Sequence, residues 1–189
     1  MFIYFLVDTS GSMDGAKIGS VNDTMENIVS ELKLYSDNTD VNINVLSFAR
    51  KTKWMYKQAT SIQQFEWKRL NASGMTSLGN ACKVLAKNIE KNISNEDIKI
   101  LLISDGLPTD DFDEGIKKLN VVLAKYSSSR FAIALEGADI PTLNTFTDNI
   151  KNVFQLERLN DLMEVMLSTL GITNTEKSII NDDVDDEWG

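Results

Sequence analysis

Residues 2–13 read Phe2-Ile3-Tyr4-Phe5-Leu6-Val7-Asp8-Thr9-Ser10-Gly11-Ser12-Met13. The apolar run is unbroken as far as Asp8 and has the length of a strand buried on both faces, as in a mostly parallel sheet. Asp8, Ser10 and Ser12 then place three oxygen-bearing side chains on alternate residues of a glycine-containing loop at that strand's carboxyl end. Open α/β sheets bind ligands at the carboxyl ends of their strands, and hard oxygens gathered there suit a small divalent cation.

Outward from this loop the chain alternates between two periodicities. Ile18, Val21, Met25, Ile28, Val29 and Leu32 share one helical face, as do Leu78, Cys82, Leu85, Ala86 and Ile89. Phe112, Ile116, Leu119 and Leu123 mark a third helix, with Asp113 and Glu114 in its first turn as the helix dipole favours. Apolar runs at 41–48, 98–103 and 131–135 predict further strands, residues 54–56 an antiparallel edge strand, and residues 153–156 a last strand. Pro141 opens a short helix. Residues 60–73 give a short helix or loop whose Phe65 and Trp67 rings pack onto the body of the domain. Leu159, Leu162, Met163, Met166, Leu167 and Leu170 predict a closing amphipathic helix. The implied fold class is α/β: a doubly wound, mostly parallel sheet with helices on both faces.

The 189 residues suit one domain, expected over 1–171, followed by a polar, acidic tail over 172–189 that reads as flexible. A formal net charge of −9 argues against general affinity for nucleic acid or anionic membranes, which need clustered Lys and Arg. No stretch approaches the roughly 18 apolar residues needed to cross a bilayer. The N-terminal run lacks the basic start of an export signal and reads as core strand. With a single cysteine, Cys82, the expected location is the cytoplasm. Cys82 lies in an apolar helical stripe and reads as core packing. The chain has no histidine. This removes Ser-His-Asp and Cys-His catalysis, imidazole-bound zinc and any histidine general base.

Two further segments would share the sheet edge of the first loop. Ala72-Ser73-Gly74-Met75-Thr76-Ser77-Leu78-Gly79 is a hydroxyl-rich loop opening a helix, and Ser104-Asp105-Gly106-Leu107-Pro108-Thr109-Asp110 again leaves a buried strand at an aspartate. Each also has a plainer reading: Thr76 or Ser77 as a helix cap, and Asp110, Asp111 and Asp113 as solvated or serving the next helix. Asp105 is more telling, because an ionised carboxylate at a buried strand end needs a partner.

Asp-x-Ser-x-Ser after a first strand, a threonine before a helix and Asp-Gly after a later strand together resemble the metal-ion-dependent adhesion site of von Willebrand factor type A domains. The segments VDTSGSM, ASGMTSLGNA and LLISDGLPTD look most like the bacterial TerY-like branch, associated with tellurium resistance and stress. By position the resemblance assigns Asp8, Ser10 and Ser12 to the first motif, Thr76 to the second and Asp105 to the third. Five side-chain oxygens completed by water suit Mg²⁺; Mn²⁺ substitutes, and Ca²⁺ prefers more ligands. The resemblance implies a non-enzymatic binding module whose cation takes a partner's Asp or Glu carboxylate as its last ligand. Gly11 and Gly74 let the backbone fold close to the ion.

Two other functions compete. One is Mg²⁺-dependent phosphoryl transfer with Asp8 as nucleophile, although Ser10 stands where that chemistry usually wants a second acid. The other is a cofactor protein for a chaperone-like ATPase. No Gly-x-x-x-x-Gly-Lys loop is present to cradle a nucleotide. The acidic run Asp182, Asp183, Asp185, Asp186 and Glu187 reads as a solvated tail. Extended, residues 172–189 span up to roughly 60 Å, so a tail carboxylate reaching this molecule's own cation, or self-association through a neighbour's, is a further expectation.

Overall fold

A computed structural model describes residues 1–35, 40–105 and 107–155, for Tyr35 the backbone alone. In it β1 (Phe2–Asp8) runs parallel to β2 (Asn42–Phe48) on one side and to β5 (Ile98–Ser104) on the other. The sheet continues through β6 (Ser128–Ala134) to β7 (Val153–Gln155), again parallel. At the far edge β2 takes two short antiparallel partners, β3 (Thr52–Trp54) and β4 (Thr60–Ser61), giving the order β3-β2-β1-β5-β6-β7 with β4 beside β2. The antiparallel edge expected at 54–56 is present, but its ladder starts at Thr52. Met55 is held to it by a single N–H bond to the Val45 carbonyl.

Pleating sends alternate β1 side chains to opposite faces. Tyr4 and Leu6 join one apolar cluster with α2 (Leu78–Asn92), α3 (Phe112–Leu123) and Leu143 and Phe146 of α4 (Ile140–Thr147). Ile3, Phe5 and Val7 join the other, with α1 (Ala16–Tyr35) and the 62–72 segment. Ile3 to Val7 are each at most 1% exposed. Burying each of these large side chains stabilises the fold by roughly 1.5–3 kcal/mol, which makes β1 the strand that both layers depend on.

The segment expected as a short helix or loop resolves into β4, a single 3-10 turn (Ile62–Gln64) and irregular chain. Phe65 is fully buried, and Asn22 on α1 ties the segment down. The Asn22 side chain accepts from the Trp67 indole N–H at 3.0 Å and the Leu70 N–H at 2.8 Å, and donates to the Leu70 carbonyl at 2.9 Å. Pro141 does stand in the first turn of α4, whose N-cap Asp139 accepts from the Thr142 N–H at 3.0 Å.

On the α2/α3 layer the helices meet backbone to backbone. A Cβ on Gly115 would lie 2.2 Å from the Gly79 carbonyl oxygen, and one on Gly79 would lie 2.3 Å from the Asp111 carbonyl oxygen. Two glycines, one on each helix, thus allow a packing distance that no side chain permits. The expected closing helix (159–170), the acidic tail (172–189) and Gly106 lie outside the described residues. Among the described residues no helix is long and apolar enough to cross a membrane.

Candidate cation site

The register of the central strands sets the site. Asp8 ends β1 opposite Phe48 of β2, and Val7 lies opposite Ile103 of β5, so the chain leaves β1 and β5 side by side at one sheet edge. Asp8 is fully buried, Asp105 is 4% exposed and Ser10 2%, whereas Ser12 is solvent-exposed. Asp8, Ser10, Ser12 and Asp105 are linked through hydrogen bonds. Ser10 N–H donates to Asp8 Oδ1 at 2.8 Å, the Ser10 and Ser12 hydroxyls are 3.1 Å apart, and Ser12 Oγ donates to Asp105 Oδ1 at 2.8 Å.

The second loop is drawn in by its backbone. Gly11 N–H donates to the Gly74 carbonyl at 2.8 Å, and Ser73 N–H donates to the Thr9 carbonyl at 2.7 Å. Gly74 has φ +88°, a conformation that favours glycine, and a Cβ on Gly11 would already be 3.4 Å from the Gly74 carbonyl oxygen. Thr76 is bound to the third loop: its carbonyl accepts from both the N–H and the hydroxyl of Thr109, at 2.7 and 2.9 Å. The Thr76 side chain is different. The residue is 6% exposed, yet among the described residues its hydroxyl has no hydrogen-bond partner. A polar group buried without a partner costs roughly 1–3 kcal/mol, and among the described residues nothing occupies this hydroxyl's lone pairs.

Burial pushes the Asp8 carboxyl above its ordinary value, and the nearby charge of Asp105 adds to this. Hydrogen bonds from the Ser104 hydroxyl (2.7 Å, to Oδ2) and from Ser10 oppose the shift. Asp8's hydrogen-bond partners among the described residues are all neutral. Among the described residues Asp105 has one cationic partner, Lys17, whose ammonium donates to Oδ2 at 2.5 Å and to the Glu136 carbonyl at 2.9 Å.

Ser104, Lys17 and Glu136 have roles at this edge that the motif spacing alone does not assign. Ser104 carried a signal, as a serine closing an apolar strand beside Asp8. Lys17 carried another, since a lysine in a helix's first turn opposes the dipole and needs an anion nearby. Asp110 also has a different role from the one expected. Its carboxylate accepts from the N–H groups of Gly79 and Asn80 at 2.9 and 2.7 Å and so caps α2, a helix that begins 32 positions earlier. Ser77, at the N-cap position, makes no side-chain capping bond, and Asp111 caps α3 by accepting from Glu114 N–H at 3.0 Å. The capping alternative for Thr76 and Ser77 therefore does not hold.

Among the described residues, no three of His, Cys, Asp and Glu gather as a metal cluster. The donors at this edge are instead two carboxylates and three hydroxyls. Of the two buried carboxylates only Asp105 meets a lysine, and among the described residues the Thr76 hydroxyl has no hydrogen-bond partner. That set fits a hard divalent cation, which takes oxygen ligands of mixed charge.

A family model described as the von Willebrand factor type A domain matches residues 3–167. No curated protein matches the sequence. Among solved structures, the pilus adhesin SpaC from Lactobacillus rhamnosus GG superposes with TM-score 0.74 at 11% identity, over 91% of this chain and 30% of that one. The manganese-loaded TRAP protein of Plasmodium vivax gives 0.66 at 18% identity, over 88% and 71%. A von Willebrand factor type A protein from Catenulispora acidiphila gives 0.65 at 15% identity, over 90% and 42%. At these identities the likeness establishes the fold, and this chain spans less than a third of the length of the adhesin it matches.

Proposed function

The chain belongs to the von Willebrand factor type A family, and on that premise we propose that it is a non-enzymatic protein-binding module. In this reading Asp8, Ser10, Ser12, Thr76 and Asp105 hold a divalent cation, Mg²⁺ or Mn²⁺, and a partner's Asp or Glu carboxylate is captured there. The observation that carries the proposal is the convergence of three loops on one sheet edge, where buried Thr76 has a hydroxyl with no hydrogen-bond partner among the described residues. The manganese-loaded relative supports the choice of a divalent ion. When bound, the cation supplies an electrophilic centre open to an outside carboxylate. The chain's own residues fix the oxygens. Asp8 is locked by Ser104 and Ser10, Asp105 by Ser12 and Lys17, and Thr76 by the Thr109 contacts to its carbonyl.

The rim supports a protein ligand over a free ion. Met75 and Leu107, on the loops that carry Thr76 and Asp105, are 55% and 62% exposed. Exposed large apolar side chains beside a charged centre are the material of an interface core with a polar anchor. A binding role over phosphoryl transfer is supported by Asp8 itself. It is fully buried, and both its oxygens already accept hydrogen bonds.

The likeness of the three loop segments to the TerY-like branch supports a bacterial tellurium-resistance or stress setting. Cys82, buried, unpaired and with its thiol pushed up to about 12 by burial, supports a cytoplasmic one. Capture of the chain's own acidic tail belongs to the same proposal, and deleting 172–189 should then raise affinity for an acidic partner or break self-association. The test of function is a pull-down from cell extract with and without EDTA, repeated with Asp8→Ala. Partners lost under both treatments identify the function, and an unchanged partner set refutes it.

A further inference from the structure

Lys17 lies in the first turn of α1, where the helix dipole disfavours a positive charge, yet its ammonium is fixed on two acceptors. It is about one third exposed, while the carboxylate it meets is 1% exposed. The two oxygens of Asp105 face different partners: Oδ1 takes the Ser12 hydroxyl, and Oδ2 takes Lys17. Lys17 thus neutralises one buried carboxylate without occupying the oxygen that faces the hydroxyl loop. It is the only Lys or Arg making an ion pair with either buried carboxylate among the described residues. Asp14 and Glu136, the acidic side chains nearest in sequence to the loop and to the Lys17 anchor, are exposed, where water screens them.

Asp8 and Asp105 bring −2 and Lys17 brings +1, so the site carries −1 before a cation enters and +1 after. Without Lys17 the same steps would run from −2 to 0.

We propose, resting on the cation-site reading, that Lys17 is a built-in counter-charge. It weakens the site's hold on the divalent ion and leaves the loaded site net positive, which strengthens its pull on an incoming carboxylate. In low dielectric a fixed unit charge acts on both ions with opposite sign, so one residue moves the two affinities in opposite directions. A purely structural role for Lys17 does not produce that pair of opposed changes.

The test is Mn²⁺ titration of the full chain by calorimetry, for wild type, Lys17→Met and Lys17→Arg. Each variant is then saturated with Mn²⁺ and titrated with acetate as the carboxylate probe, followed by water-proton relaxation. Lys17→Met should bind Mn²⁺ about tenfold tighter and acetate several-fold more weakly, while Lys17→Arg stays within about threefold of wild type for both. Mn²⁺ affinity that is unchanged or lower in Lys17→Met overturns the inference, and a fall in both affinities would make Lys17 a positioning residue for Asp105. If wild type and Lys17→Met both fail to bind Mn²⁺, the cation-site reading falls as well. Binding by wild type with no change in Lys17→Met removes the Lys17 inference alone.

Discussion

The Ser12 hydroxyl donates a 2.8 Å hydrogen bond to Oδ1 of Asp105, a residue 93 positions further along the chain. This bond joins the loop after β1 to the loop after β5, and it holds the only exposed hydroxyl of the candidate set against a buried carboxylate. Ser12→Ala removes two part-buried bonds, one to the Asp105 carboxylate and one with the Ser10 hydroxyl, so metal-free stability should fall by about 1–3 kcal/mol. Mn²⁺ affinity should fall at least tenfold. Calorimetry against thermal melts separates the two, and equal losses in both would assign Ser12 to the fold alone.

Thr76→Val inverts the usual cost of removing a hydroxyl. Because the Thr76 hydroxyl has no hydrogen-bond partner among the described residues, and the residue is 6% exposed, its loss should leave the metal-free melting temperature unchanged or slightly raised. The rise in melting temperature produced by Mn²⁺ should shrink or vanish. A metal-free protein destabilised by 2 kcal/mol or more would show that the hydroxyl was satisfied after all.

Asp8 links stability to pH. Burial raises its folded-state pKa above the ordinary aspartate value, so the folded metal-free chain keeps the proton to higher pH than the unfolded chain does. Its stabilising contribution is therefore present in acid and is lost as pH rises from 3.8 through the folded-state value. Asp8→Asn has no such titration. Its stability relative to metal-free wild type should increase as pH rises above 3.8, while stabilisation by Mn²⁺ disappears. Urea melts across that range check both, and a pH-independent difference between the two proteins would contradict the account.

The α2/α3 glycine contact has no room for a methyl group, because the atoms in the way are backbone. Gly79→Ala and Gly115→Ala should each cost about 1–3 kcal/mol, read as a drop in melting temperature of roughly 2–12 °C. Since Asp110 caps α2 at Gly79, Gly79→Ala should also weaken Mn²⁺ binding through the Thr76 loop. A drop of less than 2 °C in both variants would show that the helices separate freely.

Much of the fold was legible because its signals are local. The run from Phe2 to Val7, the helical stripes of α1, α2 and α3, and Pro141 at the start of α4 all lie within single elements. What was not legible depends on partners far away. β4 is two residues long and exists only because Thr60 and Ser61 meet β2, and Asp110 caps a helix that lies before it in the chain. At the site, motif spacing brought Asp8, Ser10, Ser12 and Asp105 to one edge, where hydrogen bonds now connect them. Lys17 and Ser104 reach those carboxylates from elements whose pairing no spacing rule encodes.

The most direct test of the central claim is a calorimetric titration of the metal-free full chain with Mn²⁺, run beside Asp105→Asn and Thr76→Val. The account predicts one ion per wild-type chain, reversed by EDTA, with affinity lost in Asp105→Asn and sharply reduced in Thr76→Val. No binding by wild type, or binding that survives both substitutions unchanged, would contradict it.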